Sequence, residues 1–182
     1  MRFQVLYSVW LGLAAIAVAR NIPMPKLARQ ANDCDISTHL PAEFSILDFK
    51  GQSTDSGETL TSFNFGYLEK TNNVTTQCHF NSSSENVGPP DRTPRFACEN
   101  KITKFIYQDQ RITLIQAICP DANGDALVEA SGAAVVELEC DDADLSTNST
   151  DGSELCKSKE AEFSGKFFSL SPVPPNPNAG AV

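Results

Sequence analysis

From residue 43 to residue 173 the chain repeats one pattern: short runs in which apolar and polar positions alternate, each closed by turn-forming residues. In "LTSFNFGYLEK" (60–70) Phe63, Phe65 and Tyr67 recur at every second position, and in "NVTTQCHF" (73–80) Val74, Thr76, Cys78 and Phe80 do the same. That is the period of a strand with one buried face. The "EKTNN" between them is rich in turn formers, so these two runs predict a hairpin. "EFSILDF" (43–49) predicts an earlier strand. "ALVEASGAAVVELEC" (126–140) predicts another, with Ala134, Val136, Leu138 and Cys140 alternating, and "AEFSGKFFSLSPV" (161–173) predicts the last. "NSSSENVGPPDRTP" (81–94) holds too much Ser and Pro for regular structure. "DANGD" (121–125) reads as a turn, and no run carries a convincing helical period. Several strands at close spacing with turn-rich links predict an all-β protein, an antiparallel barrel or sandwich.

The strongest candidate for chemistry is "CENKITKFIYQDQRITLIQAIC" (98–119), two cysteines bracketing an alternating run. A two-residue turn at Asp109 and Gln110 sets Gln108 opposite Arg111, Tyr107 opposite Ile112 and Phe105 opposite Leu114. The last two pairs are apolar and share a face, and such cross-strand pairs contribute roughly 0.2–1 kcal/mol each. A slip of one residue would send all four side chains to solvent, so the pattern specifies the register. These are packing residues, with no nucleophile beside a base.

The first nineteen of the 182 residues differ in kind. Arg2 precedes an apolar stretch from Val5 to Val18, and Ala17 and Ala19 occupy the two small positions that signal peptidase reads. Residues 1–19 are expected to be a secretory signal peptide, cleaved after Ala19. The stretch is shorter than the ~20 residues a membrane-spanning helix needs, and none of that length follows it. Residues 20–33 read as a flexible arm or short pro-segment, 34–173 as one domain, and 174–182 as a Pro-rich tail too polar for a lipid-anchor signal. A net charge of −9 argues against nucleic acid or anionic membrane as partners, since both need a basic face.

Compartment gives the six cysteines their meaning. An even count in a secreted chain points to three disulfides, with fifteen possible pairings. Zinc is the competing reading, but there is no C-x-x-C pair and the chain has only two histidines. Cys78 and Cys98 bracket the Pro/Ser loop, and Cys140 and Cys156 bracket an acidic one. Local pairing at both places leaves Cys34 to Cys119 as a long-range staple. Sequons at Asn73, Asn81 and Asn148 add three expected sites of N-glycosylation.

The early cysteine, "EFSILDF", "LTSFNF", the loop between Cys78 and Cys98, "ITKFIY…RITL", the Cys140/Cys156 pair and "FFSLSPV" together resemble the major Alternaria allergen family. The resemblance covers roughly residues 34–173. It implies a secreted fungal β-barrel with local disulfides matching Cys78–Cys98 and Cys140–Cys156. In the founding allergen the first cysteine joins two subunits. Here Cys119 offers Cys34 a partner within the chain, leaving a monomer or weak homodimer expected. The resemblance further implies dealings with a host: plant defence proteins, elicited immunity and small phenolic ligands. It supplies no catalytic residue.

Other chemistry is thinly supported. His79 is opposite in phase to Cys78 and Phe80, and a lone strand histidine without an orienting partner is a poor base; His39 in "STHLP" reads the same way. There is no G-x-S-x-G elbow. The glycine of "DDADLSTNSTDG" is misplaced for an EF-hand loop. Phe63, Phe65, Tyr67, Phe105 and Tyr107 could line a ligand cleft, but strand aromatics normally pack a core. The expectation is a secreted binding protein without catalytic residues, metal or cofactor, which engages host extracellular proteins or small ligands. A wall-associated structural glycoprotein is the alternative, and a glycan-active enzyme built on two carboxylates comes third.

Overall fold

The computed structural model describes residues 34–121, 126–141 and 153–173. The expected signal peptide, arm and tail, most of the "DANGD" turn, and the acidic loop with Asn148 lie outside the described residues. Ten strands form: β1 (Glu43–Ser53), β2 (Leu60–Glu69), β3 (Val74–Phe80), β4 (Phe96–Ala97), β5 (Thr103–Gln108), β6 (Arg111–Ile118), β7 (Val128–Val135), β8 (Leu138–Cys140), β9 (Glu154–Ser158) and β10 (Glu162–Pro172). A 3-10 turn at Ile36–Thr38 precedes them. The strands run antiparallel in the order β3-β2-β1-β10-β7-β6-β5-β4, with β9 alongside β1 and β8 alongside β9. The sheet curls into a nearly closed barrel.

The β5–β6 hairpin has the register that its alternation predicts, with Gln108 opposite Arg111, Tyr107 opposite Ile112 and Phe105 opposite Leu114. Its turn residues Asp109 (φ 51°) and Gln110 (φ 55°) are both left-handed, the geometry that matches strand twist in a two-residue loop. The β2–β3 hairpin pairs Phe63 with Phe80 through to Glu69 with Val74.

β1 shows how the fold handles a fault in the pattern. Phe44 and Ile46 face inward, and strict alternation would send Asp48 in after them. A bulge between Leu47 and Lys50 inserts one residue, and Asp48 takes up a φ of 49°. The phase flips there, so Phe49, Gly51 and Ser53 are buried and Asp48 is exposed. The Asp48 amide donates to the Ala161 carbonyl at 2.8 Å, which satisfies that donor despite the bulge.

The single strand expected over 126–140 is two strands. The ladder breaks at Val136 and Glu137, where the Val136 amide donates to the Gln110 carbonyl (2.8 Å) and β8 leaves β7's path to pair with β9. Inward phase survives the break, because Ala134 and Val136 are buried and Leu138 and Cys140 are half-buried. β7 also passes very close to β10. A Cβ on Gly132 would lie 2.2 Å from the Lys166 carbonyl oxygen, so only glycine fits there.

The interior holds one connected aromatic cluster. Phe63 stacks on Phe49 and Phe80 and meets Phe105 edge-on, while Phe80 meets Phe96 edge-on with centroids 4.7 Å apart. Phe44 bridges Tyr67 and Phe167 toward the other end. Below that end sits a second, smaller cluster of Ile118, Cys119 and Ala130, against which Cys34, Ile36 and Phe167 pack.

Candidate functional site

Three disulfides are present: Cys78–Cys98, Cys140–Cys156 and Cys34–Cys119. Each does a different job. Cys78 on β3 and Cys98 just past β4 belong to the two ends of the strand order, so their bridge closes the barrel seam. The Glu99 amide, donating to the Gln77 carbonyl at 3.0 Å, adds a backbone bond beside it. Cys140–Cys156 ties β8 to β9 across a register pair. Cys34–Cys119 pins the segment before β1 to the end of β6. His39 lies near this last bridge, with its ligand atom and the two sulfurs all within 4.8 Å. The sulfurs are bonded to each other, which removes the thiolates a metal would need.

Of the sequons, Asn73 is an exposed left-handed residue (φ 54°) in the β2–β3 turn. The buried Glu69 carboxylate holds that turn by accepting from the amides of Thr71 and Asn72, the latter at 2.9 Å. Asn81 follows β3 in an Asx turn, its Oδ1 accepting from the Ser83 amide (2.8 Å) and hydroxyl (2.7 Å). The Asn81 backbone amide donates to Ser84 Oγ at 3.0 Å in the same turn.

The five aromatics that could have lined a cleft are packing. Phe63, Phe65, Tyr67 and Phe105 are buried, and Tyr107 is half-buried against Phe49 and Phe63. Inside the barrel Tyr67 donates its hydroxyl to Gln116 Oε1, both groups being buried. Sequence reasoning missed this bond, because a lone Gln within an apolar run gives no sign of its partner. Burial drives the Tyr67 phenol far above its ordinary range, with the Glu69 charge reinforcing the shift, and burial alone raises Tyr107. A phenol with a raised folded pKa stabilises the fold below its unfolded value of about 10 and loses that contribution as pH rises toward the folded value. Cleavage after Ala19 would remove Tyr7 and leave these two as the mature chain's tyrosines. Absorbance at 295 nm is therefore expected to stay flat past pH 10, then rise in one step coincident with unfolding. A smooth rise near pH 10 with the fold intact would contradict their burial.

With the interior filled, recesses lie on the outside. One, of about 460 Å³, opens beside the β5–β6 turn between Thr93, Ile106, Gln108, Arg111 and Thr113. A second, of about 310 Å³, crosses the outer face of β1 to β3 and includes Lys50, Asn64 and His79. A third, of about 220 Å³, lies beside the break between β7 and β8, at Val135, Glu137, Lys159 and Phe163. The two histidines do not meet: His79 faces outward from β3, and His39 Nδ1 lies 3.0 Å from the Asp35 carbonyl.

The loop from Asn81 to Arg95 is fastened over the outer face of the sheet. Glu129 on β7, with 8% of its side chain exposed, accepts from Lys104 Nζ at 2.6 Å and Arg95 Nη1 at 3.1 Å. Each carboxylate oxygen takes one cation. The loop's own turn is held by Asn86 Oδ1, which accepts from the amides of Gly88 and Arg95.

No protein-family model matches the chain, and no curated protein matches it. Among solved structures, the crystal structure of Alternaria alternata allergen Alt a 1 aligns with 79% of this chain and 98% of its own, at 16% identity and a TM-score of 0.50. The chain thus has the β-barrel fold of the Alternaria allergen that its sequence resembles.

Proposed function

We propose that this is a secreted, non-catalytic binding protein that engages host extracellular proteins or small ligands through the outside of its barrel. The observation that carries this reading is the division between a filled interior and a grooved exterior. The ring cluster from Phe49 to Tyr107 takes up the space where a barrel of this kind would otherwise hold a ligand. Of the polar groups buried there, Tyr67, Gln116 and Glu69 are committed to one another or to a turn, while the Tyr107 hydroxyl is buried without a hydrogen-bond partner among the described residues. Fixed grooves on a covalently stapled surface suit recognition, because little ordering remains to be done on binding. Secretion accords with the three disulfides, which persist in oxidising compartments.

The test is capture from plant extracellular fluid on native protein beside a reduced and alkylated control, followed by calorimetry with each purified partner. Saturable binding by the native form alone supports the proposal. Equal retention by both forms, or retention of nothing, removes host-protein binding, and sedimentation with wall material would then favour a structural role. Polysaccharide turnover abolished by one carboxylate substitution would overturn the non-catalytic assignment.

A further inference from the structure

On the outer face of the sheet a row of side chains runs across five strands in register. Glu139 on β8 stands opposite Lys157 on β9, Lys157 opposite Lys50 on β1, Lys50 opposite Asn64 on β2, and Asn64 opposite His79 on β3. All five are exposed. The neighbouring row holds Leu155, Gln52 and Ser62 in register, with Asn81 just past the end of β3. The groove of about 310 Å³ is lined by Lys50, Asn64 and His79 of the first row and by Leu155, Gln52, Ser62 and Asn81 of the second, and Lys157 stands beside Lys50 outside that lining.

Two features set this strip apart from an ordinary solvated face. Like charges directly opposite each other on neighbouring strands are unfavourable, yet Lys50 and Lys157 form such a pair. The ion pairs among the described residues use Lys70, Lys104, Lys159 and Lys166, so neither Lys50 nor Lys157 has a carboxylate within 4.0 Å there. A chain with a net charge of −9 thus sets two cations side by side without an ion-pair contact, with the Glu139 carboxylate on the far side of Lys157 and amide, hydroxyl and imidazole groups on the far side of Lys50.

We propose that this strip binds acidic saccharides, with a uronate carboxylate between Lys50 and Lys157 and sugar hydroxyls on Asn64, Gln52 and His79. A carboxylate meets the two ammonium groups, and the carboxamides can both donate to and accept from hydroxyls. Neighbouring strands stand about 4.8 Å apart, close to the advance of one pyranose ring, so an extended saccharide laid across the strands meets a new polar side chain at each ring. Of the two aromatic rings in the groove's lining, Phe63 is buried and Phe80 is half-buried against Phe63 and Phe96, so neither lies fully open for a neutral sugar to stack on. Two cations on an acidic protein are too few to hold nucleic acid, whose binding rests on neutralising many phosphates. The inference deepens the proposed binding function by naming a ligand class for one groove.

The test is titration calorimetry of the full secreted chain with trigalacturonate, its methyl ester and a neutral trisaccharide, repeated on Asn81→Gln so that a glycan at the groove's end is controlled. Trigalacturonate is expected to bind saturably to at least one of the two forms, more weakly at high salt. Its methyl ester and the neutral sugar should lose most of that affinity. Lys50→Glu and Lys157→Glu should each weaken binding by about tenfold or more, whereas Lys101→Glu, at an exposed lysine off the strip, should not. Absence of saturable binding in both forms overturns the inference, as does equal affinity for the ester or indifference to Lys50→Glu. If a captured host protein still binds in those cases, this inference alone has failed.

Discussion

Replacing Cys78 and Cys98 together by alanine is expected to lower the unfolding free energy by about 3 kcal/mol and to open β3 to hydrogen exchange. The two residues are 20 apart in sequence, and closing a loop of that size removes about 3 kcal/mol of chain entropy from the unfolded state. The native state suffers too, because this bridge joins the first and last strands of the sheet order. Without it the seam keeps the Glu99–Gln77 backbone bond, the Asn100 amide donating to Thr76 Oγ1 at 3.1 Å, and the edge-on contact of Phe80 with Phe96. Alanine avoids burying two new hydroxyls, so the loss reads on the bridge itself. Urea unfolding gives the free energy, and hydrogen exchange gives the location: protection should fall in β3 and β5 and hold in β6 and β7. Removing Cys34 and Cys119 opens a longer loop of 85 residues and forfeits somewhat over 4 kcal/mol in the same entropy model. Its exchange signature differs, because that bridge pins the segment before β1 and leaves the seam shut. Unchanged exchange in β3 after loss of the Cys78–Cys98 bridge would mean that the ladder closes the barrel unaided.

What could be read from the chain was whatever two neighbouring signals agreed upon. In the β5–β6 hairpin the alternation of Phe105, Tyr107, Ile112 and Leu114 permits one register, and the turn at Asp109 and Gln110 permits the same one. In β1 the signals conflict: the spacing from Ile46 to Phe49 breaks the period, and only a bulge at Asp48 brings both onto the inner face. An odd gap between inward residues was the visible trace of that bulge. The two-residue β4 and five-residue β9 gave no trace, because such strands are too short to show a period and form where longer neighbours offer an edge. The division at Val136 and Glu137 was hidden for the opposite reason. Inward phase runs on unbroken from Ala134 to Cys140 while the pairing partner changes, and alternation reports the face of a side chain without reporting its neighbour strand.

The same limit governs the outer surface. Lys50 and Lys157 come side by side because β9 returns to pair with the far half of β1 before β10 goes on to pair with the near half. No local pattern encodes that return. A cysteine is an exception, since it advertises its need for a partner. A lysine does not, so the disulfide scheme could be argued from order along the chain and the cationic row could not.

Glu129 makes the point energetically, and its removal is expected to be the costliest change outside the core. It occurs in "ALVEAS" as a charged residue inside an apolar run, where sequence alone gives it no partner. In the fold its carboxylate is nearly buried between Lys104 and Arg95, whose side chains are 25% and 18% exposed. Deleting one member of a buried ionic cluster costs about 3–5 kcal/mol, because the remaining charge is left desolvated and unpaired. Here two cations would be left, and each keeps some access to water, so the lower end, about 3 kcal/mol, is expected for Glu129→Ala. Glu129→Gln should recover little. Its amide offers one acceptor oxygen to two donors and turns an NH₂ group toward a cation. The loop from 81 to 95 should feel the change first, since Arg95 fastens it to the sheet. Limited trypsin digestion should nick Glu129→Ala at Arg92 or Arg95 while the parent stays uncut at both, and the triple variant Arg95→Met, Lys104→Met, Glu129→Met should regain much of the stability without regaining the loop's protease resistance. If Glu129→Ala instead unfolds at the parent's urea midpoint and resists trypsin equally, the cluster is ornamental and the loop is held by its own turn at Asn86.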